Sequence, residues 1–125
     1  MTTQNEATVE ECVAQALEFL SQFDAGDTRQ GAEKLYGAAC QVVMAAAKQR
    51  GWAFRSHRDN KNTATRLADE YDDLFLSAGL TSAERFHIHF YHGDMEDYEI
   101  DANRPEVSAY VQRMATLIED YDKVA

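Results

Sequence analysis

The stretch Ala32–Ala46, AEKLYGAACQVVMAA, sets apolar residues at Ala32, Leu35, Tyr36, Ala39, Val42, Val43 and Ala46. Steps of three and four mark an α-helix with one buried face, because that spacing returns each side chain to the same side. Lys34, Gln41 and Lys48 fall opposite. The segment is also crowded with small side chains, among them Gly31, Gly37, Ala38, Cys40, Ala45 and Ala47. Small residues let neighbouring helices approach closely, which suits a central or dimer-forming helix. Alanine is also the best helix former, so composition alone leaves both readings open.

Outward from this helix the same period recurs. Val9, Cys12, Val13, Ala16, Leu17, Leu20 and Phe23 make a stripe before it. Ala64, Leu67, Ala68, Tyr71, Leu74, Phe75 and Ala78 make one after it, and Val107, Tyr110, Val111, Met114, Leu117, Ile118 and Tyr121 make the last. Helix starts are marked by Thr8-x-x-Glu11, Asp27-x-x-Gln30, Ser56-x-x-Asp59, Thr81-x-x-Glu84 and Asn103-x-x-Glu106, each an acceptor at the N-cap with a reciprocal side chain at N3. Gly26, Gly51, Gly79 and Gly93 are the expected stops, and Pro105 fits a first helical turn. The segment 94–103, DMEDYEIDAN, is expected to be an irregular loop anchored by Tyr98 and Ile100. With a single proline and almost no strand-like alternation, the sequence predicts an all-α, up-and-down bundle of about five helices. Residues 1–125 are expected to form one domain, with 1–7 disordered.

The chain has 125 residues, 45% of them hydrophobic and 27% charged, the profile of an ordinary globular domain. No apolar run approaches a membrane span, and the N-terminus MTTQNEATVEE lacks the pattern of a signal peptide. Cys12 and Cys40 fit no zinc spacing and make a poor disulfide framework, so the cytoplasm is the expected compartment. A net charge of −10 opposes general attraction to nucleic acid and makes DNA an unexpected partner. The charge is polarised, however. Between Lys48 and Arg66 lie six of the twelve basic residues against one acid, Asp59.

Within that basic segment Lys48 and Arg50 close a helix, where cations suit the macrodipole. Arg55, His57, Arg58 and Lys61 instead open the next helix, where cations are disfavoured and a bound anion would resolve the conflict. Arg55, His57 and Arg58 are therefore the candidate anion- or nucleotide-binding residues. Trp52 and Phe54 could stack on a base or fill the crease between helices. Ion pairing of these cations with the acidic segment 94–101 is the plainer alternative. That acidic segment lacks the glycine and terminal glutamate of a calcium loop.

The stretch 84–93, ERFHIHFYHG, holds three of the four histidines. Taken as a helix from Thr81, it places Ala83, Phe86, His87 and Phe90 on the core side and Arg85, His89 and His92 on an outer stripe. A core-facing His87 is expected to donate to a buried carbonyl or carboxylate. Glu84-x-x-His87 is half of a di-iron motif, but no second copy exists, so a metal-binding bundle is a remote alternative and no metal or cofactor is called for. Arg85, His89 and His92 are the candidate catalytic residues. Histidine exchanges protons near neutral pH, and arginine offsets charge on a phosphodiester. A symmetric dimer would bring two such stripes into one cleft, with Ile88 beside them.

Residues 32–39 (AEKLYGAA), Gly51-Trp52, Ser56-His57-Arg58, 83–87 (AERFH) and Phe90-Tyr91 together resemble the HEPN superfamily, most closely its archaeal PaREP-type, KNTase C-terminal-like helical domains. The resemblance runs from about Gly31 to Met114. It implies a helical bundle that commonly dimerises, and toxin ribonucleases or partners of nucleotidyltransferases as relatives. Catalytic members of that superfamily carry an arginine and a histidine separated by four to six residues at a dimer cleft. Arg85 and His92 have six between them, and the position after the arginine, usually polar, is Phe86. The histidine that better matches the PaREP-type pattern is His87. The expectation is a non-catalytic interaction or nucleotide- or RNA-sensing module working as a homodimer. Its alternative is a toxin-type, metal-independent endoribonuclease using Arg85 and His92.

Overall fold

The computed structural model describes residues 7–22 and 28–124, and all regular structure within them is helical. The order is α1 (Val9–Gln22), α2 (Thr28–Arg50), α3 (His57–Glu70), α4 (Phe75–His92) and α5 (Asp97–Val124). This is the expected all-helical bundle. The expected disordered start, residues 1–7, and the Asp27 cap lie almost wholly outside the described residues.

α2 is the central element: it packs against α1, α3, α4 and α5. Its expected stripe is buried, and so are Ala38, Ala45 and Ala47 outside that stripe. The small residues therefore serve close approach on several sides within one chain. Gly37 is an instance, since a Cβ there would sit 3.1 Å from the Phe19 ring. The helix ends where expected. Gly51 adopts a left-handed φ of 77°, its N–H donates to Lys48 O, and Trp52 N–H reaches back to Ala47 O at 2.8 Å. Those two bonds satisfy carbonyls that would otherwise be left bare.

Two of the expected caps hold. The Glu11 N–H donates to Thr8 Oγ1 at 3.1 Å and Glu11 Oε1 accepts the Thr8 N–H at 3.4 Å, both arms of a capping box. Ser56 accepts the Asp59 N–H, while the Asp59 carboxylate turns to the N–H of Arg55 at 2.9 Å.

The middle of the chain is divided differently from the expectation. α3 ends at Glu70 rather than Gly79, and the chain reverses through Tyr71–Leu74. Asp72 takes a positive φ of 50°, and the Asp73 carboxylate accepts the Phe75 N–H at 3.1 Å, opening α4. Asparagine and aspartate are the non-glycine residues most tolerant of that conformation. Gly79 lies inside α4 and is a point of close approach: a Cβ there would fall 2.1 Å from the Tyr110 ring. Thr81 is likewise interior, with its hydroxyl bonded back to Ser77 O.

The segment 94–103 is also not a loop. Gly93 (φ 61°) closes α4, four residues turn the chain, and α5 begins at Asp97. Its acids suit a helix start: Asp97 and Glu99 fall in the first turn, and Glu99 Oε1 accepts the Glu96 N–H at 3.1 Å. Met95 and Ile100 anchor this stretch in the core, whereas Tyr98 is exposed. Pro105 is inside the helix, so α5 tolerates one missing hydrogen-bond donor there.

Candidate functional site

Three helices converge on one polar patch beside the apolar core. Glu33 and Tyr36 share a face of α2, with Cys40 one turn further on that face. α3 contributes its first residue, His57, and α4 contributes Glu84, His87 and Tyr91. The Tyr36 hydroxyl lies 2.7 Å from His57 Nδ1. The Tyr36 ring stacks on His87 with centroids 4.4 Å apart, and Tyr91 meets His87 edge-on at 5.1 Å. On its other side His87 Nδ1 sits 2.9 and 3.1 Å from the two oxygens of Glu33. The two imidazole centroids are 6.0 Å apart.

The Glu33 contact assigns the proton of His87 Nδ1. A carboxylate only accepts, so His87 Nδ1 carries a hydrogen toward Glu33, and its Nε2 is an acceptor in the neutral ring. Tyr36 holds its proton firmly. Burial raises its pKa well beyond the ordinary tyrosine range, and Cys40, Glu84 and Glu33 add to the effect. Burial likewise pushes the Cys40 thiol up to about 11, outweighing the hydrogen bond from Tyr36 that favours its thiolate. One arrangement that satisfies the contact has the Tyr36 O–H donating to His57 Nδ1. His57 Nε2 then bears the hydrogen. In that arrangement the two histidines are opposite tautomers, one outward-facing nitrogen donating and the other accepting.

Two clefts share His57 as a wall. The larger, about 420 Å³, is lined by Met44, Phe54, Arg55, Ser56, His57 and Asn60 at the N-terminus of α3. No acidic side chain lines it, because Asp59 faces a neighbouring depression beside Trp52. Asn60 Oδ1, one of the lining residue's polar atoms, is buried without a hydrogen-bond partner. The smaller cleft, about 160 Å³, is lined by Tyr36, His57, Lys61, Glu84, His87 and Ile88. There Lys61 and Glu84 pair at 3.5 Å.

Of the expected anion-binding residues, Arg55 and His57 line the same cleft, while Arg58 is exposed on α3 and is not among its lining residues. Aromatic rings hold several of the junction's cations: Lys48 and Arg55 each lie 4.9 Å from the Phe54 centroid, and Arg66 lies 4.0 Å from that of Trp52. The acidic start of α5 meets Arg85 instead, through Glu99 at 2.8 Å.

The outer stripe of α4 is partly redrawn. Arg85 is about half exposed and His92 is exposed, as expected, but His89 is buried, with 5% of its surface accessible. Its Nδ1 accepts the Met95 N–H at 3.0 Å. The cause is the turn into α5: a helix over 97–103, where a loop was expected, folds Met95 and Ile100 over the flank of α4. Phe86, beside Arg85, is fully buried. His87 does find the expected carboxylate, Glu33, but its side chain keeps 30% exposure at the cleft. Glu84 and His87, the half-motif for a metal, have separate partners. Among the described residues no group of three or more His, Cys, Asp or Glu is arranged to hold a metal ion. No helix among them is long and apolar enough to cross a membrane.

Glu33 and Tyr36 were not expected at the site. Tyr36 reads as one more apolar-stripe residue, and Glu33 carries no expected role. The available signal was their spacing of three with Cys40 four further on, a polar line on the most buried helix.

Residues 6–111 match the model of the archaeal PaREP1/PaREP8 family. No curated protein and no solved structure matches the chain.

Proposed function

The chain belongs to the archaeal PaREP1/PaREP8 family, and we propose that it is a non-catalytic sensing and interaction module that binds a nucleotide or the end of an RNA at the N-terminus of α3. The observation that carries this reading is the cleft of about 420 Å³ lined by Phe54, Arg55, Ser56, His57 and Asn60. Its volume falls in the range of small-molecule sites. Its charge is positive in a chain of net charge −10, and the helix N-terminus favours a phosphate. Phe54 and Asn60 add an aromatic and an amide wall to the same cleft. The module works as a homodimer, for which Ile88 and Tyr91 on the outer face of α4 supply exposed apolar surface. The resemblance to HEPN domains supports a nucleotidyltransferase-type protein as a further partner. Calorimetric titration with nucleoside 5′-monophosphates tests the reading. Saturable binding that weakens about tenfold in Arg55→Ala supports it, and no saturable binding by the wild type overturns it.

A second reading, a toxin-type endoribonuclease, is favoured by one observation. Arg85 and His92 both reach the surface of α4, two turns apart on one side. Glu99 must release the Arg85 guanidinium before it can hold a phosphate, and a partner subunit must complete the site.

A further inference from the structure

The smaller cleft differs from the basic one in a way that specifies a ligand group. Its walls carry one carboxylate, Glu84, paired with the single cation Lys61, and the Tyr36 hydroxyl keeps its proton. A phosphate gains nothing from such a balance, since Glu84 already offsets Lys61. An uncharged polar group does. The cleft also presents an acceptor, His87 Nε2, and a donor, His57 Nε2–H, on rings whose centroids are 6.0 Å apart. Groups that donate and accept at once are hydroxyls, and adjacent hydroxyls use both nitrogens together. The Glu84 carboxylate adds a second acceptor on the same wall. At about 160 Å³ the space falls below that of a whole-nucleotide site but is ample for part of a sugar.

We propose that the cleft between α2, α3 and α4 is a subsite for the vicinal hydroxyls of a ribose. His87, fixed by Glu33, accepts from one hydroxyl, and His57, fixed by Tyr36, donates to its neighbour. The inference rests on the nucleotide reading of the adjoining basic cleft. Because His57 walls both spaces, a nucleotide with its phosphate beside Arg55 places its sugar next to the histidine pair. The consequence is selectivity for ribonucleotides over deoxyribonucleotides. A site built to satisfy a hydroxyl leaves its own polar groups unpaired when the hydroxyl is missing, and this is how proteins distinguish RNA from DNA.

The test compares ribose 5-phosphate with 2-deoxyribose 5-phosphate, and adenosine 5′-monophosphate with its 2′-deoxy form, by calorimetry on the full chain. The wild type is expected to prefer the ribose form about tenfold in each pair. His87→Phe keeps a ring stacked on Tyr36 but removes the acceptor, and is expected to erase the preference while still binding the deoxy ligands. Tyr36→Phe, which frees the His57 tautomer, is expected to reduce it. Circular dichroism establishes that each variant is folded. If His87→Phe does not fold, His87→Leu and Tyr36→Phe carry the comparison. Equal affinity for both sugars in the wild type overturns the ribose subsite and leaves the nucleotide reading standing. A preference unchanged in His87→Phe overturns the assignment to this cleft. Absence of binding by every ligand overturns both.

Discussion

The Tyr36 hydroxyl and His57 Nδ1 stand 2.7 Å apart, joining the most buried helix to the first residue of α3. The proposed ribose subsite uses this bond to set the tautomer of the one side chain common to both clefts. Tyr36→Phe keeps the ring stacked on His87 and removes only the hydroxyl. Its expected cost is about 1 kcal/mol, the usual net value of one hydrogen bond. Urea unfolding measures the stability, and nitrogen NMR of His57 reads the change from a single tautomer to a mixture. An unchanged tautomer in the variant would disconnect Tyr36 from that role.

Gly79→Ala should be harmful although alanine is the better helix former. The added methyl would lie 2.1 Å from Tyr110, whose ring is fully buried and whose hydroxyl donates to Leu76 O at 2.7 Å. Overpacking a core position costs about 1–3 kcal/mol, which exceeds the gain of about 1 kcal/mol in propensity. A lower urea midpoint is the expected result. A raised midpoint would mean that α4 and α5 are not so closely seated.

Stability is expected to fall in alkali. Burial raises the thiol of Cys12 and pushes that of Cys40 up to about 11, from an ordinary 9.0, and raises the hydroxyls of Tyr36 and Tyr110 from 10.0. The unfolded chain therefore releases these protons at lower pH than the folded one. Their contribution is intact below about pH 9 and is lost progressively as the pH rises through 9 to 11 and beyond. Thermal midpoints should be flat from pH 7 to 8 and then decline, and Cys40→Ser should delay the first part of the decline. The same shift predicts slow alkylation of Cys40 at neutral pH, where little thiolate forms.

The endoribonuclease reading makes its own demand. RNA cleavage by the pure chain should be lost in both Arg85→Ala and His92→Ala, while Glu99→Gln should raise it by loosening the Arg85 pair. Equal background cleavage in the wild type and both alanine variants would remove this reading.

The bundle was legible in the sequence because its apolar stripes are long and helical caps such as Thr8–Glu11 and Ser56–Asp59 are local chemistry. The divisions at Gly79 and 94–103 were not. A glycine that ends a helix and a glycine that admits the Tyr110 ring look alike without the opposing helix. The acids of 94–103 likewise suit a solvated loop as well as the first turns of α5. The second ambiguity carried into the site, since His89 is buried only by the turn that follows α4. Sequence alone singled out Arg55 and His57, which line one cleft, and anticipated a carbonyl or carboxylate for His87. It did not identify Glu33 as that carboxylate or Tyr36 as the partner of His57, because both contacts join residues from different helices.

Amide NMR of the full chain, titrated with adenosine 5′-monophosphate, tests the nucleotide site most directly. Phe54, Arg55, Ser56, His57 and Asn60 should shift together and saturate, while the groove of Val9, Val13 and Leu17 against Ile118 stays unchanged. No saturable shift at the start of α3 up to millimolar ligand, or a dominant shift elsewhere, would contradict it.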